Sequence, residues 1–294
     1  LLRCAGMARA RRTGALSLRC AKCSPACAAR DRTMAEPQPV RARDNPLLLQ
    51  LRRLLHEPGA YRRNGIAWLE GEHLCAALRA RGRPAEHAVI AESAWQGEPA
   101  LRELAGWAAR VTVVADPLFK GLSGLAAPAR IGFLIGTGGL VAPRAGVRTV
   151  VLDRLQDAGN VGSILRSSAA FGVLQVVALK GTAALWSPKV LRAAMGAHFA
   201  LRLVEGLADD ALATLEVPLV ATAARSGAPL HEAALPDPCG WVFGNEGQGI
   251  AAALAERCAL HLHIPQPGGE ESLNVAAAAA VCLYESSTRR IRRR

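Results

Sequence analysis

Aromatic side chains and long apolar runs are both scarce in this sequence of 294 residues. Phe, Trp and Tyr make up only 4% of it although 51% of the residues are hydrophobic, so alanine, valine and leucine must supply most of the core. No stretch reaches the roughly 18 consecutive apolar residues that a membrane-spanning helix needs. We therefore expect a soluble, cytoplasmic protein, and the length fits about two domains.

Metal-binding patterns are also lacking. Cys20, Cys23 and Cys27 lie close together, yet no histidine or second cysteine pair follows at the spacing of a zinc site. A metal on these three cysteines is the less favoured interpretation, and we expect none elsewhere. The later cysteines are scattered through apolar stretches, as reduced core thiols are.

The net charge of +12 is concentrated at the two ends of the chain. Residues 1–34 contain eight basic residues and one acid, the last six residues contain five arginines, and the remainder is neutral. Such ends attract phosphate without reading sequence, but they are equally typical of solvated tails. We predict a disordered basic extension over 1–40 and a basic tail over 289–294. Residues 1–33, which are rich in arginine as transit peptides are, are interpreted as lying outside the fold, with Met34 the more natural start.

Strand and helix patterns alternate from residue 41 to 125 and predict a small α/β domain. The following stretch, 126–146, is rich in Gly, Ala and Pro and is interpreted as the connection between domains. It contains Gly136-Thr137-Gly138-Gly139, but no Gly-Lys-Ser/Thr follows, so a phosphate-binding loop is not expected.

Three apolar runs in the second half, residues 147–288, each end in a polar, glycine-rich loop. The loops cover residues 156–162, 244–249 and 266–271, and helix-like segments follow them. Alternation of this kind predicts a parallel sheet, whose ligands bind at the carboxyl ends of the strands. A dinucleotide site is disfavoured because Gly159-x-x-Gly162 lacks the third glycine and the next strand ends at Lys180 rather than at an acid.

Three motifs in this half resemble those of a known family. They are Asn160-x-Gly162-x-x-x-Arg166, then GNEGQGI from residue 244, then IPQPGGEESLNVA from residue 264. Their order and spacing are similar to those of the SpoU (TrmH-type) RNA ribose 2′-O-methyltransferases of the SPOUT superfamily, over roughly 149–285. The segment Arg63-x-Gly65-x-x-x-Leu69-Glu70-Gly71 is similar to the L30e-like substrate-binding domain that often precedes such catalytic domains.

The resemblance implies an α/β fold in which a SPOUT domain, with a parallel sheet and a deep trefoil knot, follows the L30e-like domain. It implies S-adenosylmethionine as cofactor, RNA as partner and no metal. It also implies a homodimer formed through the C-terminal domain, with the last helix, 275–285, at the interface.

The resemblance also assigns candidate residues by position. The catalytic candidates are Asn160, Arg166, Glu246, Ser272 and Asn274. The cofactor-binding candidates are Gly244, Ile264, Leu273 and, more weakly, Thr222. Arginine binds phosphate in a bidentate manner, so the candidates for RNA binding are Arg52, Arg53, Arg62 and Arg63.

The chemistry of methyl transfer to a hydroxyl constrains the roles. A guanidinium keeps its proton in proteins, so Arg166 is expected to stabilise the developing alkoxide and bind phosphate rather than act as the base. Glu246 could hold either Asn160 or Arg166 in place. Simple helix capping by Ser272 and core burial of Ile264 and Leu273 are the alternatives for those residues.

The sequence thus favours methylation of a ribose 2′-hydroxyl in structured RNA, with rRNA favoured over tRNA. A non-catalytic RNA-binding factor of the same fold is the first alternative. A transferase acting on small molecules is the second, and the basic ends and the L30e-like segment disfavour it.

Overall fold

A computed structural model describes residues 38–124, 127–139, 141–223, 226–268 and 272–292. Residues 37–294 form one compact unit. The predicted extension 1–40 falls outside the described ranges except for its last three residues, and Cys20, Cys23 and Cys27 also fall outside them. Among the described helices, none combines the length and apolar character needed to span a bilayer.

The N-terminal half builds a mixed four-stranded sheet in the order β1-β4-β2-β3. Strand β4 runs antiparallel to both of its neighbours, whereas β2 and β3 are parallel. Val40, placed by prediction in the extension, belongs to this fold because its N–H donates to Val113 O at 2.8 Å. The elements are α1 (Pro46–His56), α2 (Tyr61–Asn64), β1 (Ile66–Glu70), α3 (Glu72–Ala80), β2 (His87–Ala91), α4 (Glu92–Gly97), α5 (Pro99–Ala105), β3 (Val111–Val114), α6 (Asp116–Lys120) and β4 (Ile131–Gly136).

Strand β4 corrects the predicted connection over 126–146. Residues Ile131–Gly136 pair with β1 along its whole length, so they are part of the first sheet. The glycine content of this stretch was part of the reason for predicting a connection, but Gly132 is needed for packing. A Cβ at Gly132 would lie 2.2 Å from the ring of Trp68, which is 2% exposed, so only glycine leaves room for the indole.

The second half builds a seven-stranded sheet in the order β7-β6-β5-β10-β8-β11-β9, and every pairing is parallel. This confirms the predicted parallel sheet. Strands β5 and β6 are buried along their whole length, as sheets covered on both faces require. The elements are β5 (Thr149–Asp153), α7 (Ala158–Ala170), β6 (Gln175–Leu179), α8 (Pro188–Ala194), a 3-10 helix (Ala197–Ala200), β7 (Arg202–Leu207), a second 3-10 helix (Asp209–Leu215), β8 (Leu219–Ala223), β9 (Ala228–Pro229), β10 (Gly240–Gly244), α9 (Ala252–Ala255), β11 (Leu260–His263) and α10 (Val275–Arg292).

Helix α10 continues beyond the predicted end at Glu285 and takes in most of the predicted basic tail. Arg289 pairs with Glu285 at 2.7 Å, one helical turn earlier, and it donates to the carbonyl oxygens of Leu230 and His231 at 2.8 and 2.9 Å. These partners hold the last described turns against the body of the protein, so the tail prediction is wrong for residues 289–292.

A buried histidine supports the segment between α8 and β7. His198 is 0% exposed, its Nε2 donates to Leu185 O at 2.7 Å, and its ring packs 5.0 Å from that of Trp186. Burial lowers the pKa of His198 to about 4. The residue is therefore neutral in the folded protein at neutral pH.

This histidine should make folding depend on pH. An unfolded histidine has a pKa near 6.5, so the unfolded chain binds more protons than the folded one between pH 6.5 and about 4. The contribution of His198 to the free energy of unfolding is fully present above about pH 6.5. It declines as the pH falls, by about 2 kcal/mol from pH 7 to pH 5. His198→Gln keeps a donor for Leu185 O but cannot titrate. Urea unfolding at both pH values should show a smaller loss for the variant, and equal losses would contradict the assignment.

Candidate active site

A cavity of about 310 Å³ lies at the carboxyl ends of β8, β10 and β11. These strands are parallel neighbours, so the loops that follow them meet at one edge of the sheet, here called the carboxyl edge. Two of the nine predicted catalytic and cofactor residues, Asn160 and Arg166, lie on α7 instead. The other seven line the cavity: Thr222, Gly244, Glu246, Ile264, Ser272, Leu273 and Asn274.

Gly244 ends β10 at a tight backbone reversal. A Cβ there would lie 2.3 Å from the carbonyl carbon of Gly249 and from the nitrogen of Ile250. Asn245 N donates to Gly249 O at 3.0 Å, Gly249 N donates back to Asn245 O at 2.8 Å, and Gly249 has a φ of 68°. Glycine is therefore required at both ends of this turn, which holds Glu246 at its tip.

One chain of hydrogen bonds joins the three motifs. Asn160 Nδ2 donates to Glu246 Oε1 at 3.2 Å, and Asn274 Nδ2 donates to Asn160 Oδ1 at 3.0 Å. The carboxylate of Glu246 also accepts the backbone N–H groups of Gln156 and Asp157 at 3.4 and 3.3 Å. Of the two partners considered for Glu246, the structure selects Asn160.

These bonds also set the charge of Glu246. Partial burial alone would raise the pKa of its carboxyl group, but the hydrogen bonds from its own backbone, from Asn160 and from the N–H groups of Gln156 and Asp157 outweigh burial and lower the pKa below its usual value. Glu246 is therefore an anion at neutral pH and acts as an acceptor for its neighbours.

The cap of α10 is Asn274 and not Ser272. Asn274 Oδ1 accepts from the N–H groups of Ala276 and Ala277 at 2.9 and 3.2 Å, which are orphan donors of the first turn. Its amide nitrogen meanwhile binds Asn160, so one side chain caps the helix and completes the network. Ser272 lines the cavity without a hydrogen-bond partner in the described part of the chain.

Helix α7 carries Asn160 and Arg166 and packs closely against α8. Asp157 caps the helix by accepting from Asn160 N at 2.7 Å, so α7 begins at Ala158, inside the segment predicted as the loop 156–162. A Cβ at Gly162 would lie 2.4 Å from the Cβ of Ala193, which explains the motif glycine by close contact with α8. Arg166 is exposed and has no hydrogen bond or ion pair with any residue that the structure describes.

The remaining cofactor candidates occupy different environments. Thr222 Oγ1 donates to Val242 O at 3.1 Å and ties β8 to β10. Ile264 packs partly against the core, so core burial accounts for it as well as ligand contact does. Leu273 is 41% exposed at the cavity, so the alternative of core burial is wrong for it.

Sequence reasoning missed an ion pair at the end of β5. Asp153 is 1% exposed and accepts from Arg154 Nε at 2.8 Å and from Ala251 N at 2.7 Å. Arg154 Nη1 then reaches Gln248 Oε1 at 3.1 Å in the loop after β10. An acid that closes an otherwise apolar strand was the signal available in the sequence.

The four arginines predicted to bind RNA are dispersed over the N-terminal half. Arg52 donates to Arg43 O at 2.9 Å, and Arg53 and Arg63 line a shallow depression near α1. Arg62 is engaged within the protein, since it pairs with Glu205 of β7 at 3.1 Å. None of the four reaches the cavity at the carboxyl edge.

Comparison with known proteins decides the family. The family model described as the SpoU rRNA methylase family matches residues 148–284. An uncharacterized tRNA/rRNA methyltransferase of Synechocystis sp. is 32% identical over 262 residues, which span 84% of this chain and 92% of the relative. The chain belongs to the SpoU methylase family.

Two further relatives define how far the likeness extends. The 23S rRNA (guanosine(2553)-2′-O)-methyltransferase RlmP of Bacillus subtilis is 39% identical over 140 residues, which span 47% of this chain and 56% of that protein. The SpoU methyltransferase AviRb of Streptomyces viridochromogenes, solved in complex with the cofactor AdoMet, is 24% identical with a TM-score of 0.75, and the match covers 84% of this chain and 98% of that one. The predicted SpoU family and α/β fold are confirmed.

The hydrogen-bond chain can be tested with an isosteric change. Asn160→Asp replaces the donor that faces Glu246 by a second carboxylate, and we expect weaker cofactor binding and a loss of about 1 kcal/mol of stability. Adding Glu246→Gln returns a donor to the pair and should recover part of both. Calorimetric binding and thermal unfolding of the two single variants and the double variant measure the coupling. Additive effects would contradict a direct Asn160–Glu246 interaction, and Ser163→Ala, on the exposed face of α7, is the control.

Proposed function

We propose that this protein transfers a methyl group from S-adenosylmethionine to a ribose 2′-hydroxyl of structured RNA, with rRNA favoured over tRNA. Membership of the SpoU methylase family and the activity named for the Bacillus relative support the reaction. The observation that carries the proposal is the Glu246–Asn160–Asn274 chain, which joins all three family motifs at one cavity.

The cavity suits the cofactor in size and in polarity. Its volume of about 310 Å³ lies within the usual range of small-molecule sites, about 300–1,000 Å³. Leu230, Ile250 and Leu262 supply apolar walls. Gln266 also lines it and has a buried Oε1 that finds no donor among the described residues, and the amino groups of S-adenosylmethionine are donors of the kind this oxygen lacks. The AdoMet complex of the Streptomyces protein, which has the same fold, agrees with this choice.

S-adenosylmethionine supplies an electrophilic methyl group. The polypeptide has to hold the ribose hydroxyl in line with that group and stabilise the charge that develops on oxygen. Arg166 suits the second task because it is exposed, keeps its positive charge, and is not engaged by another described side chain. Asn160 is held in place by its hydrogen bonds to Glu246 and Asn274.

Several finer features of the prediction belong to this proposal. They are the roles of the candidate residues, the deep knot, the L30e-like character of the N-terminal sheet, and RNA contacts by Arg52, Arg53 and Arg63. A homodimer formed through the C-terminal domain is also proposed. The exposed Val281, Tyr284 and Ile291 on α10, which are 42%, 57% and 70% exposed, support an interface on this helix.

Methyl transfer from tritiated S-adenosylmethionine to RNA lacking the modification tests the function. We expect wild-type protein to place label on a ribose 2′-oxygen, and Arg166→Ala to reduce kcat by about 100-fold or more because charge stabilisation is lost. The matched control is Arg144→Ala. Arg144 is also exposed, but its backbone N–H binds Gln175 at the start of β6, on the opposite edge of the sheet from the cavity.

Nuclease digestion then locates the label and identifies the RNA class. Tight binding of RNA and cofactor without transfer would favour the non-catalytic RNA-binding factor. Equal activity of Arg166→Ala and Arg144→Ala would contradict the role given to Arg166, and absence of cofactor binding would contradict the proposed reaction.

A further inference from the structure

A second cavity, larger than the first at about 470 Å³, lies between the two sheets. We call it the inter-sheet cleft. The N-terminal half contributes Tyr61 and Arg62, and the second sheet contributes Lys180, Thr182, Trp186 and Glu205. Lys180 and Thr182 lie just after β6, so the cleft opens on the same carboxyl edge of the sheet as the candidate active-site cavity.

Glu205 is the polar centre of the cleft. Its Oε1 accepts from the Tyr61 hydroxyl at 2.5 Å, from Leu185 N at 2.9 Å and from Arg62 at 3.1 Å. All three bonds fall on Oε1, which leaves Oε2 of the same carboxylate without a donor in the described part of the chain. The side chain retains 15% exposure, so a partly buried acceptor faces the cleft.

Two cationic side chains, Lys180 and Arg62, line the same cleft. Lys180 is exposed, and its ammonium group has no ion pair with a described residue. The charge of Arg62 is partly neutralised within the protein, because Arg62 pairs with Glu205 and its guanidinium lies 5.5 Å from the centre of the Tyr61 ring. An unpaired cation and a partly buried carboxylate oxygen that line one cleft match a ligand that carries both a phosphate and an amino donor, as a nucleotide does.

Arg154 links the inter-sheet cleft to the loop after β10, which also contributes to the candidate active-site cavity. Its backbone N–H donates to Thr182 Oγ1 at 3.1 Å in the cleft, and its Nη1 reaches Gln248 in the loop after β10. Only β5 separates β6 from β10 in the sheet, so the nearest strands of the two sites are about 10 Å apart at the spacing of neighbouring strands. One strand of RNA can therefore occupy both.

We propose that the inter-sheet cleft binds a nucleotide neighbouring the methylated one in the same RNA strand, with its phosphate on Lys180 and a base amino group on Glu205 Oε2. The inference rests on the proposed function for the identity of the RNA. On this proposal the cleft helps the protein to recognise the RNA sequence next to the methylated nucleotide.

The test measures binding of an unmodified 23S rRNA transcript by filter retention over a range of salt concentrations, with methyl transfer measured on the same preparations. Lys180→Ala should bind several-fold more weakly and lower the slope of log K against log salt by about 1, because one phosphate contact is lost. Lys189→Ala is the matched control, since Lys189 is exposed on α8 and does not line the cleft. Its binding should equal that of the wild type.

Glu205→Gln gives a second readout whose sign is decisive. Glutamine keeps an acceptor for Tyr61, Leu185 N and Arg62, but it turns the free oxygen into a donor and removes the negative charge that pairs with Arg62. If the carboxylate merely lies near the RNA, it repels phosphate, and its neutralisation would tighten RNA binding. If it accepts a hydrogen bond from a base amino group, the same change would weaken RNA binding. We expect weaker binding with an unchanged thermal midpoint.

The outcomes separate this proposal from the reaction. Full methyl transfer together with unchanged RNA binding by Lys180→Ala, or tighter binding by Glu205→Gln, would overturn the cleft assignment alone. RNA binding that depends on Lys180 without methyl transfer by the wild type would support the cleft and contradict the reaction. Failure of the wild type to bind the transcript would count against both.

Discussion

The carboxylate of Glu246 is the point on which the geometry of the site depends. It accepts hydrogen bonds from the loop after β5 and from the first turn of α7, and through Asn160 it reaches the cap of α10. Three segments that lie far apart in sequence are thus held by one charge. A parallel sheet makes this possible, because it brings the ends of successive strands to one edge.

The sequence was sufficient to predict the parallel sheet, the family and the set of residues around the cavity. These features depend on local patterns: buried strands, glycine where the backbone reverses, and polar residues just after the strands. Gly244 and Glu246 could be identified in this way because no ordinary strand or helix explains a glycine-rich acid loop.

Features that depend on contacts between distant segments could not be predicted. The role of Gly132 depends on Trp68 in another strand, so composition alone suggested a linker where β4 forms. Helix capping was considered for Ser272, and the spacing did not show that Asn274 is the cap of α10. The pairing of Arg62 with Glu205, 143 residues away, was likewise not visible in the sequence.

The Arg289 contacts limit how early the cavity can form while the protein is being synthesised. Leu230 forms part of the wall of the candidate active-site cavity, and its carbonyl oxygen accepts a hydrogen bond from Arg289 near the end of α10. The same helix supplies Val275, Ala278 and Cys282 to that wall. During synthesis the ribosome releases these residues after every strand of the sheet. The cavity therefore cannot reach its final shape while α10 is still inside the ribosome, and the growing chain cannot hold its cofactor until α10 has emerged.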